Sequence, residues 1–448
     1  MINVLRKNHS PRVVVISLDG VPYSFIKARI AAGDLPNFKT LFDNGSLRRM
    51  NSVQPCASSV AWASYMTGKN PGKHNIFGFV DKKPGTLETF VPTSANMMSD
   101  TIGEIMSRAG KKVFVMNVPV TFPPRPVNGI LIGCFLGTGL EKIAYPAQVS
   151  AELKKMGYRI DASAAIAREN LSRFIDECND VLNKRAEVMF HYLAQASWDF
   201  FQCHIMETDR MNHFFWECAE NQNAPYAKAF VDFYKRVDDL IGVVERKIGD
   251  ETELIILSDH GFCPIKKEIY LNRFLAAAGL LKFKTASPKS LNDMQAESVA
   301  YSLIPGRIFI NLQGREPQGT VAPERYEEAR EKVARTLLEC KAPDSGAPII
   351  RDVIKREDVY HGEHFSKAAD LIAVPHDGYD LKGDVTKLIF GENTALTGMH
   401  KFDDALIFVR QREIKPVQEN LWIGDVAPTI LKLMNLTVPA DMDGAAFV

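Results

Sequence analysis

The sequence predicts an α/β fold in which a largely parallel central sheet carries helices on its faces, with a small cap subdomain inserted late in the chain. Three observations lead there. Short apolar runs rich in β-branched residues alternate with helical stretches, the order of a sheet built from βα units. Several of those runs end abruptly in Asp or His. Between Phe262 and about Pro375 the alternation gives way to a different texture. With 448 residues, 46% apolar and 24% charged, the chain can bury a substantial core, and a disordered or fibrous protein is excluded.

Residues 12–18 form the first strand, a continuous apolar run that Asp19-Gly20 ends. Helices follow at 25–32, stopping near Gly33, and at 35–44, closed by Gly45. Residues 60–66 are small and helix-compatible, closed by Thr67-Gly68. A helix at 100–109 and Gly110 lead into a strand at 112–117. Beyond a proline-rich loop at 119–126 and some weakly periodic elements, residues 164–196 are helical with one break. A strand at 199–205, an amphipathic helix at 225–248 capped near Gly249, and a strand at 254–258 come next. The cap holds a short helix at 270–277, a strand at 307–312, a polar turn and a charged helix at 323–338. This divides the chain into 10–262, the first part of the catalytic α/β domain, 263–368, the cap, and 369–448, the return to the catalytic domain. Residues 370–374 and 405–409 are expected as strands returning to the core, and 426–433 as the last helix.

Lys plus Arg and Asp plus Glu each number 54, so no bulk charge favours nucleic acid or an anionic membrane. No apolar run approaches the roughly 18 residues of a membrane span, and the start lacks a signal-peptide pattern. The seven cysteines are scattered, odd in number and without a CxxC pair, which reads as a reduced, cytoplasmic protein with free thiols. The expected partner is a small molecule, with no stable nucleic-acid partner and no membrane, for a monomer or homodimer.

In open α/β sheets, ligands bind beyond the carboxyl ends of the strands. Three strand-like runs end there in potential ligands: Asp19, the pair Asp259 and His260, and the segment from Glu207 to His213. Asp209 and His213, four apart, share one helical face. His400 precedes the strand at 405–409. Singly, each has an ordinary structural role as a cap, a turn or a surface residue. Together, Asp and His donors suit zinc, manganese or iron, and a two-metal site needs about six or seven of them. Ser58 and Ser59 stand just before a helix, where a hydroxyl either caps the helix or, as a nucleophile, lies at its positive end.

In these residues the chain resembles the alkaline phosphatase superfamily, and within it the type I phosphodiesterase and nucleotide pyrophosphatase branch. The resemblance runs from Val14-Val-Ile-Ser-Leu-Asp-Gly20 through Leu35-Pro-Asn37, the Ser58 segment with Thr67-Gly68, Glu207-Thr-Asp-Arg-Met-Asn-His213, Ser258-Asp-His-Gly261 and Gly398-Met-His400. It ends with Gly424-Asp-Val-Ala-Pro-Thr-Ile-Leu431 and Met442-Asp-Gly444. What it implies is an alkaline-phosphatase-like three-layer sandwich and a two-metal hydrolase of phosphoric esters. One metal takes Asp209, His213 and His400, and the other Asp19, Asp259 and His260. Zinc comes first, with manganese or iron compatible. Ser58 matches the nucleophile position, nine residues before Thr67, and Ser59 is the second candidate. The implied reaction passes through a covalent phospho-serine, as in a phosphodiesterase or nucleotide pyrophosphatase. A phosphomonoesterase or phosphonate hydrolase of the superfamily is the alternative, ahead of a phosphomutase, a phospho-headgroup transferase, a sulfatase or a non-catalytic binding protein. Cys56 lacks the Arg of the sulfatase motif and is offset by two residues.

One departure bears on substrate. The branch places an Asn after the nucleophile helix to hold a phosphate oxygen, and at that distance this chain has Phe79. Asn75, four residues earlier, is the candidate for that catalytic role. Lys69, Lys73 and His364 are candidate substrate contacts, and Arg307 a candidate anion contact, beside the plainer reading of solvated turns and surplus loop histidines.

Overall fold

The computed structural model describes residues 11–195, 197–392, 395–415 and 420–448. The first strand, Arg12–Leu18, sits near the middle of an eight-stranded sheet. Across it the order is Gly45–Met50, Ala405–Arg410, Thr252–Ser258, Arg12–Leu18, Phe200–Ile205, Val113–Met116, Gly129–Ile132 and Ala144–Tyr145. The five strands from Thr252–Ser258 to Gly129–Ile132 are mutually parallel, while Ala405–Arg410 and Ala144–Tyr145 run against their neighbours.

Strand pleating sends successive side chains to opposite faces, and each face buries its own core. Val14, Ile16 and Leu18 pack with Phe38, Phe174, Phe230 and Phe233 from helices on one side. Val13 and Val15 pack with Val60, Trp62 and Ile430 on the other. The result is the expected three-layer sandwich.

Helix boundaries follow local chemistry. Thr101 and Glu104 form a capping box at the start of Ile102–Arg108. The break in the long helical stretch is Asn170, whose backbone is extended and whose Oδ1 accepts from the Arg173 amide at 3.0 Å, starting helix Leu171–Leu193. Gly68, in the left-handed region at φ 65°, ends helix Ser58–Thr67.

The cap contains a four-stranded antiparallel sheet in the order Ala300–Leu303, Arg307–Ile310, Leu371–Pro375 and Ile350–Lys355. Helices Leu271–Ala277 and Tyr326–Leu338 close a separate core against it. The expectation that residues 370–374 return to the main sheet is corrected here. Leu371–Pro375 pairs inside the cap, and the chain rejoins the main sheet at Ala405–Arg410. Both runs are apolar and buried, so composition alone does not say which core each enters. Strand Gly45–Met50 was not expected either, because Gly-Ser-Leu-Arg-Arg-Met at a sheet edge needs no apolar run.

Arg307 joins cap and main domain and is not free for a substrate anion. Its Nη1 lies 2.6 Å from Asp81 Oδ1, its Nε donates to the Ile304 carbonyl at 3.0 Å, and its Nη2 donates to the Val80 carbonyl. Both partners of this ion pair are buried. Asp81→Ala leaves the guanidinium buried and unpaired, and is expected to destabilise the protein by about 3–5 kcal/mol in chemical denaturation.

Candidate metal centre and cleft

Strands Thr252–Ser258, Arg12–Leu18 and Phe200–Ile205 are adjacent and in register, with Leu18 level with both Ser258 and Ile205. Asp19 and Asp259 therefore leave the sheet side by side. Helix Glu207–Phe215, following the third strand, carries Asp209 and His213. Strand Gly398–Lys401 pairs with Gly261–Pro264, placing His400 opposite Phe262 and over the same point. Gly20 makes the turn at φ 63°, and a Cβ there would lie 2.4 Å from the Phe262 ring and 3.0 Å from His260.

All six expected ligands converge. Asp209 Oδ1 is 3.4 Å from His213 Nε2 and 3.5 Å from His400 Nε2, and the two Nε2 atoms are 3.1 Å apart. His260 Nε2 is 3.3 Å from Asp259 Oδ2 and 3.6 Å from Asp19 Oδ1. The rings of His260 and His400 stack at 3.6 Å, joining the halves. Donor atoms of Asp209, His260 and His400, and of Asp19, Asp259 and His260, form two clusters that can each hold a metal ion.

The ring nitrogens explain why a cation fits. The Nδ1 atoms of His213, His260 and His400 face the carbonyls of Gly398, Gly261 and Cys56 at 3.0, 3.0 and 3.4 Å. Each carbonyl holds the proton on Nδ1, so each Nε2 lone pair points to the common centre. Asp209 Oδ1 and Asp259 Oδ2 are buried without a hydrogen-bond partner. Converging lone pairs and orphaned carboxylate oxygens are the donor set that divalent metals complete.

Electrostatics follow the same geometry. Burial pushes the His213 and His260 imidazoles down, which keeps them neutral and able to ligate. Burial opposes charge on Asp209, yet His213 and His400 hold its carboxyl below the usual range. Burial pushes His400 down, but the neighbouring Asp209 carboxylate together with Asp19 and the Cys56 carbonyl outweighs it, and the imidazole moves up. Burial and then the neighbouring Asp19 raise Asp259.

Ser58 opens its helix with Oγ 3.0 Å from His260 Nε2 and 3.3 Å from Asp19 Oδ1. The Ser59 hydroxyl is buried and meets no partner among the described residues. Asn75 is engaged elsewhere, donating to the Asn96 carbonyl at 2.9 Å and accepting from Lys367 at 2.8 Å. Lys69 lies 2.5 Å from Asp441, and Lys73 pairs with Asp443. His361 and Asn70 meet the same Asp443, so this basic turn clasps the C-terminal segment. The His364 amide donates to the Gly72 carbonyl at 2.8 Å, holding it beside that clasp.

Two residues absent from the expected set orient Asp19. Trp62 Nε1 donates to Asp19 Oδ2 at 3.1 Å, and His204 Nε2 lies 3.0 Å from the same oxygen, leaving Oδ1 toward Ser58. His204 is held in turn by Ser17 Oγ at 3.1 Å. The available signal was an imidazole in a strand that is buried throughout. Arg210 bridges Asp161 at 2.5 Å and Asp209 at 3.3 Å, fixing helix Glu207–Phe215.

A cleft of about 260 Å³ opens from His213 and His400 between the main domain and the cap. Cys56, Phe79, Ile304, Arg351, Leu381 and Met399 are among its walls. Asn75, Lys69, Lys73 and His364 are not among the described residues that line it.

The sequence profile described as type I phosphodiesterase / nucleotide pyrophosphatase matches residues 13–403. No curated protein matches the chain by sequence. Among solved structures, phosphonoacetate hydrolase from Sinorhizobium meliloti 1021 bound to phosphonoformate is similar with TM-score 0.64 and 16% identity, covering 95% of each chain. Murine ectonucleotide pyrophosphatase / phosphodiesterase 5 is similar with TM-score 0.57 and 15% identity, covering 96% of each chain. The human protein of that name gives TM-score 0.56 and 16% identity, covering 97% of each chain. The chain belongs to the type I phosphodiesterase / nucleotide pyrophosphatase family.

His204→Ala, which removes no metal donor, is expected to weaken zinc binding by about 10–100-fold in calorimetric titration. His400 must lose its proton to ligate. Zinc affinity is therefore expected to fall as pH drops through its raised pKa, with proton release on binding seen as a buffer-dependent enthalpy.

Proposed function

We propose that this member of the family is a two-metal phosphodiesterase that works through a covalent phospho-serine at Ser58. The observation that carries the reading is the position of Ser58 Oγ at the edge of both donor clusters, 3.0 Å from His260 and 3.3 Å from Asp19. Asp209, His213 and His400 hold one metal, and Asp19, Asp259 and His260 the other, zinc by preference. Three carboxylates and an ionised serine together carry the charge that two divalent ions offset.

When bound, the metals lower the pKa of the serine hydroxyl and stabilise charge on phosphoryl and leaving oxygens. Ser58 attacks phosphorus in line with the leaving group, from the first turn of its helix, where free amides favour negative charge. Asp19, clamped through Oδ2 by Trp62 and His204, keeps Oδ1 beside the attacking oxygen. A Ser-His-Asp relay is disfavoured by the same geometry. His260 Nδ1 faces a backbone carbonyl, and Asp259 approaches its Nε2. Water then releases the phospho-serine.

A second reading, a phosphomonoesterase or phosphonate hydrolase, draws support from Phe79. It lines the cleft and stands at the sequence distance at which the branch has a phosphate-binding Asn. A cytoplasmic location is supported by seven unpaired cysteines.

Zinc- or manganese-loaded protein is expected to hydrolyse bis-p-nitrophenyl phosphate in preference to p-nitrophenyl phosphate. Ser58→Ala should lower turnover on the order of 10⁴-fold or more while two metals stay bound. Monoester preference moves the function to the second reading, and full activity in Ser58→Ala overturns the nucleophile. Asp209→Asn should lose one metal by elemental analysis.

A further inference from the structure

The cleft beyond the metal histidines contains charge that the catalytic residues do not use. Its lysines are engaged: Lys382 lies 2.5 Å from Asp380, and Lys401 lies 2.8 Å from Asp377. Arg351 differs. It lines the same cleft, is exposed, and its side chain has no ion pair or hydrogen bond among the described residues.

Its placement is specific. Arg351 belongs to the edge strand Ile350–Lys355 of the cap sheet. Ile350 pairs with Pro375 and Asp352 with Val374, so Arg351 is the extra residue of a β-bulge. A bulge turns one side chain away from the regular alternation of its strand. His376, at the end of the paired strand, lines the cleft beside it.

The carboxylates of the cleft are held by those lysines, Asp380 by Lys382 and Asp377 by Lys401, with Asp403 3.8 Å from Lys401, and much of the remaining wall is apolar. Phe79 and Ile304, 43% and 38% exposed, are two of the few large hydrophobic side chains the described surface leaves open, and both face this cleft with Leu381 and Met399. Phe79 stacks on Phe135 at 6.3 Å, which stiffens that wall.

We propose that Arg351 selects substrates carrying a terminal carboxylate, separated from the scissile phosphorus by an apolar segment. A lone guanidinium matches a monoanion in charge, and its planar fork matches a carboxylate bidentately. The apolar walls take the intervening segment and exclude water from it. The inference rests on the hydrolase reading above, because it places phosphorus at the metal centre.

The test uses calorimetry on the full-length, zinc-loaded protein. Alkylphosphonates are compared with ω-carboxyalkylphosphonates of matched length across a series, and bis-p-nitrophenyl phosphate turnover is measured on the same sample. At one chain length the carboxylate should tighten binding by about five- to tenfold. In Arg351→Ala the two ligands should bind alike, and Arg351→Lys should keep part of the difference. No gain at any length, or a gain that survives Arg351→Ala, overturns the proposal. Turnover without a carboxylate gain overturns this inference alone. A carboxylate gain without turnover of any phosphoester overturns the hydrolase reading and leaves the role of Arg351 standing.

Discussion

Three carboxylates and three imidazole lone pairs are brought to one buried point, and the rest of the structure answers to that convergence. Asp209 Oδ1 and Asp259 Oδ2 have no hydrogen-bond partner, and two Nε2 atoms face each other at 3.1 Å. Without a cation such an arrangement is costly, because buried acceptors of one polarity repel and lose their hydration. It persists because strands, caps and clamps leave the side chains little room to turn away. The register of three adjacent strands sets Asp19 and Asp259 level. Backbone carbonyls lock the three rings.

Layers of support extend outward from that point. Trp62 and His204 take one oxygen of Asp19, and Ser17 holds His204. Arg210 ties helix Glu207–Phe215 to Asp161, and the buried Arg185–Glu207 pair anchors its first turn. Asn212, from the same helix, donates to the Gly20 carbonyl at 2.8 Å and is itself held by Tyr234. Each contact removes a freedom by which the donors could relax apart, and this preorganisation lets a site bind metal without rearranging.

The cap has a different task. It has its own core, yet Arg307 fastens it to the main domain through Asp81 and Val80. That attachment builds a cleft walled partly by the cap and opening onto His213 and His400. The candidate metal centre thus lies in the main domain, and the cap contributes walls to the cleft that opens beside it.

Much of this was legible in the chain itself. Apolar runs that stop at Asp or His mark strands with ligands at their carboxyl ends, and i, i+4 spacing puts Asp209 and His213 on one face, because both patterns are local. Three-dimensional placement decided the rest. Leu371–Pro375 and Ala405–Arg410 are alike in sequence but enter different sheets. Asn75, Lys69 and Lys73 have suitable chemistry for a phosphate, yet the fold gives them to Asn96, Lys367, Asp441 and Asp443. His204 sits in a buried strand with no local mark of function, and its partner is Asp19, 185 positions away. Local pattern specifies which groups a chain can offer. Which partner each group finds depends on long-range packing, where burial and competing charges choose among several chemically adequate contacts.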